Sequence, residues 1–265
     1  MKYLFCCIIC KPTYEYNYII NFMEEITCII AAGGLGKRLQ GFRNNDKTKV
    51  LLEVNGTPMI NQQITQILSW GIKKFVVITN PLFDKLTQEV TKRSFPDLDI
   101  KYAIQEEPLG ISHALSKAEK FLTGSEISLF VLGDNFFGEN PIKNINFDQI
   151  NQFGGCHVFT IEVNNPQEFG VLVLDQNGKI DSIEEKPEKP KSNKAVVGVY
   201  IFDNKVISNI KKLTPSSRGE YEVTDLINIY INNNLASFSE INSWWIDAGT
   251  PDRILELEDK LAKGI

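Results

Sequence analysis

Short apolar runs alternate with longer stretches of helical periodicity through the first half of the chain. The runs predict buried β-strands over residues 26–32, 74–79, 100–104 and 127–132, and the periodic stretches predict helices over 59–70, 83–94 and 112–122. This alternation predicts a parallel sheet connected by crossover helices. Ligands of such sheets bind beyond the carboxyl ends of the strands, so we expect function in the loops that follow the first and fourth runs.

The second half of the chain has a different pattern, with more short strands. Strands are predicted over residues 156–163, 171–174, 180–183, 195–202 and 235–238, and helices over 223–232 and 251–261. The segment Asp175-Gln176-Asn177-Gly178 is typical of a hairpin turn. Because there is no repeat and no low-complexity linker, we predict a single domain over residues 23–261 with an internal seam near residue 150.

Composition and charge narrow the class of protein. The 265 residues can bury a substantial core, and a hydrophobic content of 43% with 23% charged residues is typical of a globular protein. The formal net charge is −5, and no basic stripe lies outside one loop, which argues against nucleic-acid binding. No apolar run approaches the roughly 18 residues of a membrane-spanning helix, so no membrane association is expected.

Residues 1–22 contain three of the five cysteines, Cys6, Cys7 and Cys10, but no small-residue cleavage site of a secretory signal. The Cys7-x-x-Cys10 pair lacks the second pair or the histidines that zinc would require. We interpret the segment as an extension upstream of the fold, with acylation or a weak membrane contact as the alternative. Cys28 and Cys156 are expected to be buried thiols, and we predict a reducing, cytoplasmic location.

A glycine-rich loop follows the first predicted strand. Its glycines leave backbone N–H groups accessible to a phosphate. Residues 31–49 also carry five cations against the single acid Asp46, which is a concentrated positive charge in an acidic chain. The glycines are Gly33, Gly34 and Gly36, and the cations are Lys37, Arg38, Arg43, Lys47 and Lys49. We predict a polyphosphate-binding loop, with a plain strand-to-helix turn as the alternative.

Two common phosphate loops do not match this segment. The dinucleotide-binding fingerprint G-x-G-x-x-G fails because Leu39 stands at the third glycine, and the Walker loop fails because Arg38 replaces the Ser or Thr after Gly-Lys. The pattern that is present is Gly-Gly-x-Gly-x-Arg-Leu, with Lys49 ten residues after Leu39.

Two aspartates follow apolar segments and precede small residues. Asp134 ends the fourth predicted strand in Leu-Gly-Asp-Asn, and Asp247 lies in Trp-Trp-Ile-Asp-Ala-Gly-Thr. Carboxylates in such positions can hold Mg²⁺, which bridges to substrate phosphates and keeps several waters. Either aspartate alone could equally be a turn or capping residue.

Other charged segments are ambiguous when taken alone. Glu184-Glu185-Lys186-Pro187 could be a solvated charge run, and the segment from Arg218 could be a helix entry capped by Thr224 or Asp225. Both histidines are interpreted as structural, because His113 starts a predicted helix and His157 lies in a predicted strand.

These segments belong to a longer series of short motifs. In chain order the motifs cover residues 33–39 with Lys49, then 105–114, 131–135, 165–170, 184–187, 190–193, 218–220, 223–225 and 247–250. From residue 26 to about residue 261 this ordered series resembles the sugar-1-phosphate nucleotidylyltransferases, and among them the glucose-1-phosphate thymidylyltransferases.

The resemblance implies an α/β fold: a Rossmann-like, nucleotide-binding three-layer sandwich with a mixed, mostly parallel sheet and an inserted sugar-binding β sub-domain. Residues 23–150 would form the nucleotide-binding half and residues 151–261 the sugar-binding half. The implied reaction is a Mg²⁺-dependent in-line transfer of a nucleotidyl group from dTTP to glucose 1-phosphate, which gives dTDP-glucose and pyrophosphate. A homo-oligomer is possible.

The resemblance also implies a role for individual residues. The triphosphate would be held by Gly33, Gly34, Gly36 and Arg38, and the leaving pyrophosphate by Lys49. The base would be bound by Gln105 and Gly110, and magnesium by Asp134 and Asp247. The sugar would be lined by Asn135, Gly170, Glu185 and Val196, and its phosphate held by Lys186 and Arg218. Arg38, Lys49 and Lys186 would be the catalytic cations.

Two alternatives stay open at this point. Uracil and thymine present the same hydrogen-bonding edge to Gln105, so a uridylyltransferase acting on glucose 1-phosphate or N-acetylglucosamine 1-phosphate is an alternative. A non-catalytic nucleotide-sugar sensor is a remote one, since such proteins usually lose a cation or an aspartate of the site. The chain ends 15 residues after Thr250, so we expect it to lack the further helices that build a regulatory nucleotide site in longer relatives.

Overall fold

The computed structural model describes residues 23, 26–39, 41–42, 48–122 and 127–264. The extension predicted over residues 1–22 lies outside the described residues, as do Arg43 and Lys47 of the cationic loop. The strands are β1 Thr27–Ala31, β2 Glu53–Val54, β3 Thr57–Pro58, β4 Lys74–Thr79, β5 Asp99–Ile104, β6 Ile127–Leu132, β7 Asn135–Phe137, β8 Cys156–Glu162, β9 Gly170–Leu174, β10 Ile180–Glu185, β11 Lys194–Asp203, β12 Ala236–Glu240 and β13 Trp245–Asp247. The α-helices are α1 Met59–Ser69, α2 Asp84–Ser94, α3 Ile111–Ser116, α4 Phe147–Phe153, α5 Val206–Ile210, α6 Val223–Asn232 and α7 Pro251–Ala262.

Among the described residues, one nine-stranded mixed sheet organises the fold, with the order β10-β9-β11-β6-β1-β4-β5; β8 branches from β11, and β12 pairs with β8. Strands β6, β1, β4 and β5 pair in parallel, as the strand–helix alternation of the first half predicts. Strand β11 pairs antiparallel with β6 and also with β8 and β9. A continuous sheet therefore joins the two halves of the chain through β11.

Alternate residues of β1 enter different cores, because successive side chains of a strand point to opposite faces. Cys28 and Ile30 lie in one core, which also contains Ile60, Ile64 and Ile67 of α1. Ile29 lies in the other core, which contains residues of α3, α5 and α6. Helices thus cover both faces of the sheet, which gives three layers. A smaller third core packs α7 against β2, β7 and β13.

Most predicted strands lie where the apolar runs put them, but the helix predicted over residues 112–122 is wrong in its length. Helix α3 ends at Ser116, and a 3-10 turn follows at Glu119–Phe121. Tighter hydrogen bonds, from Ala118 N to Leu115 O and from Phe121 N to Ala118 O, replace the α-helical pattern. This tightening keeps Leu115 and Ala118 fully buried although the α-helix has ended.

The predicted cap of the helix at 223–232 is also wrong. Glu222 occupies the N-cap position of α6, and Thr224 and Asp225 lie inside the first turn. Elements too short for a periodicity signal were not predicted: α5, the β2–β3 hairpin and the paired strands β7 and β13. Within the described residues no helix is long and apolar enough to cross a membrane.

Candidate active site

The glycine loop leaves the carboxyl end of β1 and is held by polar side chains from two neighbouring segments. Thr48 Oγ1 donates to Gly34 O at 2.6 Å, and Asn80 Nδ2 donates to Gly33 O at 3.0 Å. Gly36 has a φ of +63°, and a Cβ there would lie 3.0 Å from the Cβ of Lys49. The loop carbonyls are thus occupied by protein donors, while glycine at position 36 lets the chain turn closely past Lys49.

A cavity of about 250 Å³ lies at this end of the sheet. Its lining includes the predicted nucleotide-binding residues Gly33, Gly34, Gln105 and Gly110, together with Lys49 and Asp134. Arg38, also predicted to bind the triphosphate, lines a second and larger space instead. The structure therefore places four of the six predicted nucleotide-binding residues in the smaller cavity and Arg38 in the larger space, whereas Gly36 lines neither.

A part of the wall of this cavity is built around Gly110 and Gln105. Gly110 has a φ of +102°, and a Cβ at this position would lie 2.7 Å from the Tyr221 carbonyl oxygen. The Gln105 amide nitrogen lies 3.1 Å from Gly110 O and 3.2 Å from His113 Nδ1. Sequence analysis missed the position of His113 next to Gln105. Its spacing of three residues from Gly110 at a helix start is the signal that could have found it.

Asp134 and Asp247 are brought together by a short two-stranded sheet, although they are far apart in the sequence. In this sheet β7 pairs with β13, and Asp247 is opposite Asn135. The Ala248 N–H donates to Asp134 O at 2.8 Å, which locks the ends of the two strands together. Asp134 lines the smaller cavity and Asp247 the larger space, so the pair marks the junction of the two.

The side chains around Asp134 fix its orientation. Lys49 Nζ forms an ion pair with Asp134 Oδ2, and Asn135 Nδ2 donates to Asp134 Oδ1 at 2.9 Å. Asn135 is itself buried and held by Gly198 N at 3.0 Å and Trp245 Nε1 at 2.7 Å. In this structure Asn135, predicted to line the sugar, orients a carboxylate.

The two carboxyl groups have opposite pKa shifts. Burial acts to raise the pKa of Asp134, but the charge of Lys49 and its hydrogen bond outweigh burial and hold the pKa below its usual range. The pKa of Asp247 is raised to about 7, by burial first and by the charge of Asp134 second. Burial acts to lower the pKa of Lys49, because it disfavours the charged form. The charges of Asp134 and Asp247 outweigh burial and keep this pKa above its usual value.

This arrangement fits a divalent cation. Asp247 Oδ1 is buried and has no hydrogen-bond partner among the described residues. A Cβ at Gly249 would lie 2.9 Å from that oxygen and 2.7 Å from Arg38 Nη2, so glycine leaves space beside both groups. No group of three or more candidate ligands occurs in the described part of the chain. Two carboxylates would leave the other positions to water and phosphates, as is usual for Mg²⁺.

The larger space is a cleft of about 1040 Å³. Arg38, Lys186 and Asp247 line it, and Phe169 and Trp245 form part of its wall with their rings edge to face at a centroid distance of 5.3 Å. The cleft therefore places cations and aromatic surface beside one of the two aspartates.

Lys186, which lines the cleft, and Arg218, which does not line it, both form ion pairs with glutamates. Arg218 lies 3.1 Å from Glu185 and 3.1 Å from Glu220, and Lys186 lies 3.8 Å from Glu185. The alternative of a solvated charge run at residues 184–187 does not fit Glu185, which belongs to β10 and is one-quarter exposed in its side chain. Lys186 has a φ of +43°, an unusual conformation for a non-glycine residue.

The other two residues predicted to line the sugar are placed differently. Gly170 begins β9, and a Cβ there would lie 2.9 Å from the Thr224 methyl group and 3.7 Å from Glu185 Oε2. Val196 is buried in β11, opposite Thr160 of β8. The structure thus brings Gly170 to the Glu185–Arg218 pair, whereas Val196 lies within the sheet.

A glycine-lined cavity joined to a cation-lined cleft by paired carboxylates defines a class of enzyme that handles phosphorylated substrates. A profile of the family described as "Nucleotidyl transferase" matches residues 27–264, and the chain belongs to this family. Enzymes of this class act on a nucleoside triphosphate and a sugar phosphate, and they generally use a divalent metal.

Individual relatives are more specific. The chain is 35% identical to a glucose-1-phosphate thymidylyltransferase of Neisseria meningitidis over 86% of this chain and 80% of that protein. It is 31% identical to the low-salt glycan biosynthesis nucleotidyltransferase Agl11 of Haloferax volcanii, over 89% of this chain and 67% of that protein. A crystal structure from Bacillus anthracis, assigned as a glucose-1-phosphate thymidylyltransferase in complex with a sucrose, superposes with a TM-score of 0.80 at 36% identity. That match covers 91% of this chain and 96% of the other.

These comparisons confirm the predicted family and the α/β fold class with a mixed, mostly parallel sheet. The remote alternative of a non-catalytic sensor is not favoured, because the chain groups with named transferases and keeps Arg38, Lys49, Asp134, Lys186 and Asp247.

Proposed function

We propose that this chain transfers the thymidylyl group of dTTP to glucose 1-phosphate and releases pyrophosphate, in the cytoplasm and with Mg²⁺. The observation that carries the proposal is the convergence of Lys49, Asp134 and Asp247 where the glycine-lined cavity meets the cation-lined cleft. Relatives that share about a third of its sequence carry this activity in their names, which supports the choice of base and sugar.

The chemistry of this reaction requires no activated Ser, Cys or His. A sugar 1-phosphate oxygen is already ionised, and it attacks the α-phosphorus in line while pyrophosphate leaves. The protein must align crowded anions and neutralise their charge. When bound by Asp134 and Asp247, Mg²⁺ supplies further positive charge to the phosphates.

On the nucleotide side, the glycine loop and Lys49 bind the phosphates of dTTP. The backbone at Gly33 and Gly34 borders the cavity and can approach the phosphates closely. Lys49 Nζ is held against Asp134, so its charge is fixed at the junction and can stabilise the pyrophosphate as it leaves. Arg38 reaches the same junction from the cleft side, where Gly249 leaves room for its guanidinium group.

On the sugar side, Lys186 and Arg218 hold the phosphate of glucose 1-phosphate. Both side chains are partly exposed and bound to glutamates, so an incoming phosphate can replace a carboxylate as their partner. Glu185 then becomes available to accept hydrogen bonds from sugar hydroxyls. Residues 23–150 form the nucleotide-binding half in this proposal, and residues 151–261 form the sugar-binding half. A homo-oligomer stays a prediction.

A matrix of substrates tests the proposal. The purified chain is incubated with Mg²⁺, each of dTTP, UTP, dCTP and ATP, and each of glucose 1-phosphate and N-acetylglucosamine 1-phosphate, and pyrophosphate release is measured. We expect the dTTP and glucose 1-phosphate pair to have the highest kcat/KM. Preference for UTP would establish the uridylyltransferase alternative, and no pyrophosphate from any pair would refute a nucleotidyltransferase.

A further inference from the structure

The orientation of the Gln105 amide is fixed by its surroundings. The group 3.1 Å from the Gln105 amide nitrogen is the carbonyl oxygen of Gly110, which can only accept a hydrogen bond. The atom of Gln105 that faces it must therefore be the NH₂ group, because the amide oxygen would place two acceptors together. This assignment follows from the backbone and does not depend on a choice between two equivalent amide orientations.

The second amide hydrogen of Gln105 points to His113. The distance from Gln105 Nε2 to His113 Nδ1 is 3.2 Å, and since Nε2 has hydrogens to donate, Nδ1 must be an acceptor. His113 is therefore a neutral imidazole with its hydrogen on Nε2. Burial lowers the pKa of His113, and the charge of Lys117 lowers it further, which favours this neutral form.

The segment that carries His113 is itself held in place. Its ring stacks on Tyr221 with a centroid distance of 6.2 Å. Tyr221 N donates to Leu109 O at 2.8 Å, and Ser112 N donates to Tyr221 O at 3.1 Å. The imidazole thus has a fixed position relative to the wall of the nucleotide cavity.

With both amide hydrogens used inside the protein, Gln105 has only its oxygen left for a ligand. Oε1 lies toward the glycine loop, 3.3 Å from where a Cβ of Gly33 would be, and both residues line the nucleotide cavity. We propose that His113 is a positioning residue: it accepts the amide hydrogen that Gly110 leaves over, so that Gln105 can present only an acceptor to the base and selects thymine or uracil over cytosine. This inference rests on the proposed function and adds the residue that sets base selection.

The selection follows from the chemistry of the bases. Thymine and uracil carry a hydrogen on N3 and can donate it to Gln105 Oε1. Cytosine held in the same position would place its N3 lone pair against Oε1, so the two acceptors would repel and both would lose hydrogen bonds. Its N4 amino group could donate to Oε1 only if the base shifted from that position. A Gln105 amide that could turn over would offer NH₂ to cytosine N3. Because His113 and Gly110 accept both amide hydrogens, Gln105 cannot donate to cytosine. Bound cytosine would then leave buried polar groups without partners, and sites with this property reject the wrong ligand strongly.

The test compares replacements of His113 that keep or remove its acceptor. In His113→Leu the acceptor is lost, whereas in His113→Asn an amide oxygen can occupy the position of Nδ1. Equilibrium dissociation constants for dTTP and dCTP are measured by calorimetry without sugar phosphate, and kcat/KM is measured for both nucleotides with glucose 1-phosphate. The matched control is His157→Leu, since His157 also bonds two protein groups, Ser237 and Ser239, but lines a different cavity.

We expect His113→Leu to reduce the preference for dTTP over dCTP by about 10- to 100-fold, the range for one unsatisfied buried polar group. The His113→Leu substitution should alter KM and the dissociation constants of the nucleotides more than it alters kcat. His113→Asn should restore most of the preference, and His157→Leu should leave it unchanged.

An unchanged preference in a folded His113→Leu variant would overturn the inference. If that variant does not fold, His113→Asn and His113→Gln replace the comparison, because glutamine moves its oxygen away from the Nδ1 position. Equal preferences in these two polar variants would also overturn it. Failure of the proposed function is a separate result, seen when the unchanged chain releases no pyrophosphate from dTTP.

Discussion

Polar groups in the proposed nucleotide cavity already have protein partners, whereas those at the proposed sugar-phosphate site are paired with groups that a substrate can replace. In the cavity, Gln105 bonds Gly110 and His113, and the carbonyl of Gly33 accepts from Asn80. The side chain of Lys186, which lines the cleft, is 48% exposed, and that of Arg218, which shares Glu185 with it, is 38% exposed. The cavity is also about a quarter the volume of the cleft.

This difference indicates two ways of recognising a substrate. A base is read by hydrogen-bond direction, which requires donors and acceptors fixed before binding. A sugar phosphate is attracted by charge, and exposed ion pairs contribute only about 0–1 kcal/mol each, so exchanging a carboxylate for a phosphate costs little. In the proposed mechanism, Asp134 and Asp247 lie between the two regions and hold the metal ion that acts on both substrates.

The largest effect should come from the junction, where a single change affects both substrates. We expect Asp134→Asn to lower kcat by about 100- to 1,000-fold, because the charge that aligns Lys49 and holds the metal is lost. The fall in kcat is measured from the steady-state rate of pyrophosphate release. The control Asp203→Asn alters a buried aspartate that bonds Tyr230 and Gly155, and should reduce stability but not kcat. Near-normal turnover of Asp134→Asn would mean that the junction is not the reacting centre.

The next-largest effect should distinguish the cleft, where we propose that glucose 1-phosphate binds, from the cavity proposed for dTTP. Lys186→Ala removes a cation of the cleft, and we expect kcat/KM for glucose 1-phosphate to fall by about 100-fold, with the dissociation constant for dTTP unchanged. Lys191→Ala is the matched control, because Lys191 has the same charge, pairs with Glu184 at 2.5 Å and does not line the cleft. Equal effects of the two variants would contradict the division between the regions.

A smaller effect should appear in the cavity alone. Gly110→Ala forces a Cβ against the Tyr221 carbonyl and shifts the wall that holds Gln105. We expect about tenfold weaker dTTP binding by calorimetry, the equivalent of one hydrogen bond. Gly178→Ala is the control, since Gly178 also has a positive φ, +76°, but no close neighbour, in the hairpin between β9 and β10. If both variants bind dTTP normally, the geometry at Gly110 is not required for base binding.

The last prediction concerns a different quantity, the pH dependence of the stability of the metal-free protein. The pKa of Asp247 is raised from 3.8 to about 7 by folding, so the folded state binds a proton more tightly than the unfolded state. The stability this provides is fully present below pH 3.8 and is lost as the pH rises to about 7, with a slope of at most about 1.4 kcal/mol per pH unit. Urea unfolding in EDTA measures the slope.

The variant Asp247→Asn isolates this contribution, because other groups titrate in the same range. The free energy of unfolding of Asp247→Asn minus that of the unchanged chain should rise with pH between 4 and 7. A difference that is flat over this range would show that the carboxyl group of Asp247 is not perturbed by burial and by Asp134.

Much of the fold could be predicted because its signals are local. The run that forms β4 was predicted with the observed bounds, and the Asp175–Gly178 turn is present, with Gly178 N donating to Asp175 O at 3.1 Å. Helix α3 was predicted too long because its apolar spacing continues past Ser116, although the hydrogen bonds change there. Strands β7 and β13 could not be predicted, since each is stable only because the other pairs with it.

The sequence by itself determined the glycine loop, the cations after it and the strands that place them at one edge of a sheet, because glycine conformation and apolar periodicity act over a few residues. Only the tertiary structure decided which groups meet. It paired Asp134 with Asp247, placed His113 against Gln105 and surrounded Arg218 with glutamates. The Asp134–Asp247 and Arg218–Glu185 contacts join distant parts of the chain, and the first forms only when β7 and β13 pair. Gln105 and His113 are only eight residues apart, and their contact depends on the conformation of the turn at Gly110.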